Sequence, residues 1–162
     1  MDNGAAEADV DDDGDLDVLI CNSGEENFLY RNLGDGSFER VTTGPVVSGA
    51  GRTGSGSWGD FDGDGDMDLF VSNVARQNNR MFKKHGDWIF EEVTDRIHVR
   101  DGGVSNASNA LDIDNDGDLD LFVANVGGPN FYYTNDGRGN FSKVTTGPLV
   151  TSDQVSASSA WG

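Results

Sequence analysis

Aspartate residues occupy every second position in three short stretches of the chain. DVDDDGDLD covers residues 9–17, DFDGDGDMD covers 60–68 and DIDNDGDLD covers 112–120. Like charges this close repel one another unless a cation neutralises them. Carboxylates at positions 1, 3 and 5 of a tight turn can point at one centre, and the glycine at position 6 permits the sharp bend. Oxygen ligands of high charge suit a hard cation, and a flexible shell of oxygens suits Ca²⁺ better than Mg²⁺.

The pattern predicts the same ligands in each loop, namely the side chains at positions 1, 3, 5 and 9 and the main-chain carbonyl at position 7. They are Asp9, Asp11, Asp13, Asp15 and Asp17 in the first loop, Asp60, Asp62, Asp64, Asp66 and Asp68 in the second, and Asp112, Asp114, Asp116, Asp118 and Asp120 in the third. About three Ca²⁺ ions per chain are therefore expected. The side chains of Asp12, Asp15, Asp66 and Asp118 are expected to face solvent.

Two other interpretations of these stretches are open from the residues alone. They could be solvated Asp-Gly turns on an acidic surface, although three copies in register make that a poor explanation. An EF-hand needs a bidentate Glu at position 12 and flanking helices. Position 12 is Ile20, Val71 or Val123, each in an apolar run typical of a strand. This excludes an EF-hand and argues against a dockerin-type loop.

The acidic stretches recur at a nearly constant period, which indicates a repeat architecture. Their first aspartates are 51 and 52 residues apart, and each repeat carries about four short apolar or alternating segments separated by Gly, Asn and Asp. We predict an all-β chain, a β-propeller of about three four-stranded blades in one repeat domain, residues 1–162. The blades are predicted at about 1–54, 55–104 and 105–155, with 156–162 an inner strand that completes a blade.

Small residues and aromatic residues occupy different segments of each repeat. The small-residue segments 55–58, 105–111 and 156–161 are predicted to form the inner strands, because the centre of a propeller is crowded. Aromatic residues of the third and fourth strands are expected to fill the wider gaps between blades; they are Phe28, Tyr30, Phe38, Phe82, Phe90, Tyr133 and Phe141.

Composition excludes several classes of protein. The formal net charge is −18, and 16 of the 29 acidic residues lie in the three loops, so no basic patch exists for a nucleic acid. No apolar run approaches the ~20 residues of a membrane helix, and no signal peptide is visible. The single Cys21 is expected to be a small buried side chain. His85 and His98 are expected to be exposed.

The motif D-x-D-x-D-G-x-x-D-[LM], preceded by Trp58-Gly59 in the second repeat, resembles the FG-GAP/VCBS repeat. NFLYRN, NRMF, GDGSF and the FxxVT endings are similar to that family too. The resemblance implies an integrin α-subunit-like propeller with Ca²⁺ bound between the first and second strands of each blade. It also implies adhesion or protein and glycan binding, in an extracellular, cell-surface or periplasmic location.

Three blades are fewer than the ~4–8 of known propellers. We therefore expect a homodimer that closes a six-bladed ring, in which residues 156–161 of each chain complete the first blade of the other. In the alternative, residues 1–8 supply the inner strand of the first blade, and the chain is a piece of a longer propeller.

No catalytic constellation stands out, so the expected function is non-catalytic binding or adhesion. The ligand would contact the face formed by the loops 44–52, 95–103 and 147–155. The alternative function is a polysaccharide lyase or hydrolase, or a scaffold in a longer secreted protein.

Overall fold

Three antiparallel sheets of four strands follow one another along the chain. The computed structural model describes residues 2–49 and 51–151, with the side chains of residues 2 and 3 left out. The first sheet contains β1 (Asp2–Ala8), β2 (Asp17–Asn22), β3 (Phe28–Asn32) and β4 (Phe38–Val41). The second contains β5 (Thr53–Gly59), β6 (Asp68–Asn73), β7 (Arg80–Lys84) and β8 (Phe90–Val93), and the third contains β9 (Ser105–Leu111), β10 (Asp120–Asn125), β11 (Phe131–Thr134) and β12 (Ser142–Lys143). Within each sheet the strands pair in sequence order, and each sheet is one blade of the predicted all-β architecture.

The inner strand of the first blade comes from the chain itself. Strand β1 pairs antiparallel with β2 from Asp2 opposite Asn22 to Ala8 opposite Asp17. The structure thus has the arrangement of the alternative interpretation, in which the N-terminal segment fills this position. The predicted exchange of residues 156–161 between two chains is not tested by this pairing and stays a prediction. The predicted inner strand at 156–161 lies outside the described residues.

Small side chains let the inner strands approach closely. Strand β5 lies between β1 and β9. A Cβ atom at Gly54 would lie 2.7 Å from the carbonyl oxygen of Ser105, so only glycine fits there. Beside it, Ser55 Oγ and Ser57 Oγ lie 3.1 and 2.8 Å from Ser108 Oγ. The prediction of small residues at the crowded centre is confirmed for β5 and β9.

Apolar side chains of neighbouring blades interlock. Between the first and second blades, Leu19 and Leu29 pack with Leu69, Val71 and Phe82 in one cluster, joined by the buried Cys21. Between the second and third, a matching cluster contains Phe61, Phe70, Met81, Leu121, Val123, Tyr133 and Phe141. Every residue of β6 and β10 is buried, because these strands are covered on both faces. Blade-on-blade packing therefore makes the core.

The first blade has an uncovered outer face. Phe38 is 51% exposed, so the prediction that it fills a gap between blades is wrong for this chain. It lines an entirely apolar hollow with Val18 and Tyr30. Phe90, the equivalent residue of the second blade, packs against the cluster between the first and second blades. Phe38 is exposed because no described blade precedes its own.

Each described connection between blades buries side chains of a short 3₁₀ turn in the core, and this turn is called the plug. The 3₁₀ turns Pro45–Val47 and Ile97–Val99 bury Val46 and Val47 in one case and His98 and Val99 in the other. His98 is fully buried, so the prediction of an exposed residue is wrong, whereas His85 is exposed as predicted. His98 Nε2 lies 3.0 Å from Met81 Sδ, and its Nδ1 has no hydrogen-bond partner.

His98 should make the protein acid-sensitive. Burial, followed by the charge of Arg96, lowers the pKa of His98 to about 4. The imidazole of His98 therefore stays neutral in the folded protein down to about pH 4, whereas in the unfolded chain it is protonated near pH 6.5. As a result, the free energy of unfolding decreases as the pH falls from about 6.5 towards 4. The loss approaches ~1.4 kcal/mol per pH unit and ~3 kcal/mol in total.

The check is a urea unfolding series from pH 7 to 4.5 in excess calcium, with wild type compared with His98→Leu. Leucine is chosen because the third repeat has leucine at this position, Leu149. We expect the variant to lose distinctly less stability over this range. Parallel pH profiles would contradict the assignment.

A pair of asparagines closes each turn between the second and third strands. The backbone N–H groups of Asn22, Asn73 and Asn125 donate to the side-chain oxygens of Asn27, Asn79 and Asn130, at 3.0, 2.9 and 2.9 Å. The side-chain amides of the first three donate to the carbonyls of Glu26, Asn78 and Pro129. These buried pairs hold the ends of the hairpin together in all three blades.

Replacing Asn79 by Ala should therefore destabilise the protein by about 1–3 kcal/mol, because the buried N–H of Asn73 loses its acceptor. Chemical denaturation measures this difference. Asn78→Ala is the matched control, since the Asn78 side chain is exposed and only its carbonyl contributes to the turn. Equal stabilities of the two variants would contradict the role of the pair.

Candidate metal centres

Each acidic loop connects the inner strand of a blade to its second strand and is folded by its own carboxylates. The position-1 carboxylates of Asp9, Asp60 and Asp112 accept the backbone N–H groups of positions 5 and 6, at 2.9–3.2 Å. The position-5 carboxylates accept the N–H of position 7 at 3.0–3.1 Å in all three loops; they are Asp13, Asp64 and Asp116. The three loops thus share one conformation.

Two positions of each loop have a left-handed backbone. The position-6 glycines have φ values of 93°, 90° and 97°, as the sequence predicted. Position 4, which the sequence analysis missed, also has positive φ: 63° at Asp12, 74° at Gly63 and 62° at Asn115. Asp, Asn and Gly are the residue types that tolerate this conformation. The signal was present in the sequence as a restriction of residue type at position 4.

The loops bring carboxylates together. One oxygen each from Asp9, Asp11 and Asp13 lies within 4.8 Å of the others, and Asp112, Asp114 and Asp116 do the same in the third loop. In the second loop the group is Asp60, Asp62 and Asp68. Oxygen Oδ1 of Asp11 and Oδ1 of Asp62 are buried and have no hydrogen-bond donor.

Buried acceptors without donors carry a large desolvation cost unless a cation lies beside them. The all-oxygen donor set, its charge and these two orphaned atoms fit a hard divalent cation. The residues at positions 1, 3 and 5, with Asp68 in the second loop, would hold it.

The position-9 aspartates are buried behind the loops. Asp17, Asp68 and Asp120 are at most 2% exposed. One oxygen of each accepts the N–H of position 2, and the other accepts an N–H at the end of the third strand, at 2.8–2.9 Å. Of the three, only Asp68 joins a carboxylate cluster. Position 9 therefore fastens the loop to its blade in addition to any role as a ligand.

Burial, then repulsion from neighbouring carboxylates, raises the pKa of Asp68 to about 7. The pKa of Asp17 is raised in the same direction, by burial first. The pKa of Asp114 is also raised, by desolvation and then by other carboxylates of the third loop. The pKa of Asp118 is raised by desolvation and then by Asp116 and Asp136. A cation at the loop centre would favour the charged form of each group.

The position-7 side chains are only partly exposed to solvent, which corrects the prediction for three residues. Asp15, Asp66 and Asp118 are half-buried, and only Asp12 is exposed. Asp66 accepts the N–H of Gly86 at 2.6 Å. A Cβ atom at Gly34 or Gly137 would collide with Asp15 or Asp118. The side chain at position 7 therefore packs on the glycine turn between the third and fourth strands.

Basic side chains lie against two of the loops. Arg31 Nε is 2.7 Å from Asp11 Oδ2, and its guanidinium also reaches Asp13 at 3.4 Å. Lys83 Nζ contacts the Asp62 carboxylate and lies 3.2 Å from Asp64 Oδ2. The hydrogen bond to Asp62 is the main reason that the pKa of Lys83 is raised to about 12. The loop motif does not predict a role for Arg31 and Lys83, although both lie next to the end of a third strand.

Each of the first two loops also contacts the following blade. Trp88 Nε1 of the second blade donates to Asp11 Oδ2 at 3.2 Å. In the same way, the carbonyl of Phe61 in the second loop accepts hydrogen bonds from Asn135 Nδ2 at 2.7 Å and from Gly139 N at 3.0 Å. A cation in a loop would thus act on the junction between two blades as well as within one.

Comparison with known proteins agrees with this geometry. The sequence profile of the FG-GAP-like repeat matches residues 9–71, 60–123 and 112–162. The chain belongs to the FG-GAP-like repeat family. The first two matches run from one acidic loop through the next inner strand and loop, so the FG-GAP unit is offset from the structural blade by one strand.

Cartilage acidic protein 1 of Homo sapiens and of Mus musculus is similar to the chain, with 28% identity over 131 residues in both cases. The match covers 75% of this chain and 20% of each relative. The chain therefore spans about a fifth of the length of these curated relatives.

Neither the family description nor the names of these relatives denotes an enzyme. Among the described residues, 2–49 and 51–151, no helix has the length and apolar character needed to cross a bilayer.

Proposed function

We propose that this chain is a calcium-binding propeller module that presents a non-catalytic surface for protein or glycan binding, as in adhesion. The observation that carries the proposal is the recurrence of one loop conformation in three blades, with carboxylates converging and two buried oxygens lacking donors. Extracellular calcium modules bind at about 10⁻⁴–10⁻³ M. The proposed location is therefore extracellular, cell-surface or periplasmic, where calcium is plentiful.

The role of the ions in this proposal is to fix the binding surface. Each loop folds on its own carboxylates, and the first two loops contact the next blade through Trp88 and Asn135. An ion that orders a loop consequently stabilises the arrangement of adjacent blades. The exposed parts of the connections 44–49, 51–52 and 95–103 lie beside the buried plugs and would form part of the ligand face.

Calorimetric titration with Ca²⁺ after chelation tests the metal sites. The expected result is uptake of about three ions per chain, with Mg²⁺ a weaker competitor. A glycan array and a protein-binding screen in millimolar calcium then test the surface. Turnover of a polysaccharide with no detectable binding partner would instead support the alternative, an enzyme.

We also propose that a second copy of the chain covers the apolar outer face of the first blade. Val18, Tyr30 and Phe38 line this face. The residues at the same places in the second blade, Leu69, Phe82 and Phe90, pack against the blade before them. A face of this composition fits another blade of the same repeat. Association would use face packing, because β1 already fills the inner-strand position.

Light scattering in millimolar calcium tests this association. We expect twice the mass of one chain, and Phe38→Glu should reduce it to one. Ile89→Glu is the matched control, since Ile89 is 63% exposed on the second blade, away from this face. A monomeric wild type would contradict the dimer and leave the calcium proposal untouched.

A further inference from the structure

The three acidic loops have the same conformation but different electrostatic surroundings. One residue of each blade occupies the same place beside its loop: Arg31, Lys83 or Thr134. Each stands immediately before the residue whose N–H donates to the position-9 aspartate. The difference between a guanidinium, an ammonium and a hydroxyl at this place is therefore a property of this chain rather than of the shared loop motif.

The first and second loops contain built-in cations. Arg31 pairs with Asp11 and Asp13, the position-3 and position-5 carboxylates of the first loop. Lys83 pairs with Asp62 and Asp64, the same two positions in the second loop. These are carboxylates that a calcium ion would need, so the side chain and the ion compete for the same oxygens.

The second loop has an additional cation. Lys84 Nζ lies 2.5 Å from Asp66 Oδ1, and Asn32 and Asn135 stand at this place in the other blades. The first loop has the opposite feature, a sixth carboxylate at Asp12, which adds negative charge.

The third loop has no comparable counter-charge. Within residues 2–49 and 51–151, no basic side chain forms an ion pair with Asp112, Asp114, Asp116 or Asp118. Thr134 instead donates from Oγ1 to the carbonyl of Ser142 at 3.4 Å. The second and third loops carry five aspartates each, so the neighbouring cations are the main difference in charge between them.

We propose that the three sites fill in order, the third loop first and the second last, because Arg31, Lys83 and Lys84 compete with calcium while Thr134 does not. The inference rests on the proposed calcium binding. At low calcium the first two loops are neutralised in part by their own side chains. At high calcium the ions displace those side chains from the carboxylates. The chain would thus respond to calcium over a wider range of concentration than three equal sites would.

The magnitude is scaled from the energy of an exposed ion pair and lies above that value here, because the Asp11 and Asp62 side chains are only 8% and 13% exposed. An exposed pair contributes about 0–1 kcal/mol, and 1.4 kcal/mol corresponds to a tenfold change in affinity. A cation that stays near a bound divalent ion adds repulsion of similar size. Each built-in cation should therefore weaken its site about three- to tenfold.

Exchange of the two side chains is the decisive experiment. Calcium titration calorimetry is performed on wild type, Lys83→Thr, Thr134→Lys and Arg100→Thr. Lys83→Thr should tighten the weakest site about three- to tenfold, and Thr134→Lys should weaken the tightest site by a similar factor. Arg100→Thr changes the net charge by the same amount as Lys83→Thr but lies at an exposed position away from the loops, so it should leave all affinities nearly unchanged. Asp114→Asn should abolish the tightest site.

Terbium luminescence adds a signal that can be assigned to the first loop, as the part of the sensitised emission that is lost in Trp88→Phe. Trp88 Nε1 lies 3.2 Å from Asp11 Oδ2, so excitation of this indole should sensitise Tb³⁺ in the first loop, and Trp88→Phe should remove most of that signal. In wild type the signal should rise after the calorimetric filling of the third site. Three ions bound with one affinity, unchanged by either exchange, would overturn the inference while calcium binding stands. No uptake of calcium by wild type would overturn the proposed function itself.

Discussion

Calcium should raise the melting temperature of this protein by about 10–30 °C relative to the chelated form. At 10 mM calcium and an affinity of about 10⁻⁴–10⁻³ M, each site contributes roughly 1.4–2.7 kcal/mol of stability. Three sites contribute about 4–8 kcal/mol, and 1 kcal/mol shifts the melting temperature of a chain of this size by about 2–4 °C. Relief of repulsion acts in the same direction, since the formal net charge is −18. Differential scanning calorimetry in calcium and in chelator measures the shift.

Ionic screening must be separated from specific binding in that measurement. Sodium chloride at matched ionic strength reduces repulsion among all the carboxylates, yet it cannot satisfy the buried oxygens of Asp11 and Asp62. We therefore expect sodium to give only a small part of the shift, and magnesium an intermediate part. Equal melting temperatures in calcium and in chelator would show that the acidic loops are solvated turns.

The parts of the fold that could be predicted from sequence are those repeated in all three blades. The order of strands and the glycine at position 6 each occur three times, and the small residues of the inner strand recur in β5 and β9, so the pattern is not due to chance. The repeat also contained a signal that was not used. His98 aligns with Val46 and Leu149 at the plug between blades, and that alignment indicates a buried position.

The features that escaped prediction depend on contacts between segments far apart in the chain. The loop sequence alone predicts that Asp66 faces solvent, but the turn at Gly86 lies against it. Trp88 and Asp11 are 77 residues apart and meet only because adjacent blades stack. Exposure of Phe38 likewise depends on whether a blade precedes the first one. The local pattern predicts the blade, and the stacking of blades decides the environment of its edges.

Substitution of Asp120 should have a large effect with or without calcium, whereas substitution of Asp114 should matter only with it. Asp120 is fully buried and accepts hydrogen bonds from Ile113 N, Asn135 N and Tyr132 OH, at 3.2, 2.9 and 3.0 Å. An asparagine would set its own N–H₂ group against one of these donors. We expect Asp120→Asn to cost about 2–4 kcal/mol in chelator as well as in calcium.

Asp114→Asn is the matched control, because Asp114 is exposed and its electrostatic neighbours are the carboxylates of its own loop. In chelator its stability should stay within about 0.5 kcal/mol of wild type, as is usual for surface positions. In calcium it should lose more than a third of the stabilisation, because the third loop is proposed to be the tightest of the three sites. Denaturant unfolding of Asp120→Asn and Asp114→Asn, each in chelator and in calcium, gives the four free energies of unfolding.

The comparison separates two roles that the loop motif alone does not distinguish. If position 9 acted only as a ligand, the two variants would behave alike, stable in chelator and impaired in calcium. If position 9 served only to hold the loop against its blade, Asp120→Asn would lower the free energy of unfolding equally in chelator and in calcium. The additional stability that calcium gives would then be unchanged. The buried geometry predicts a loss in chelator, and the repeated acidic pattern predicts an additional loss of the calcium increment. Position 9 would then be the residue through which an ion in the loop stabilises the blade beneath it.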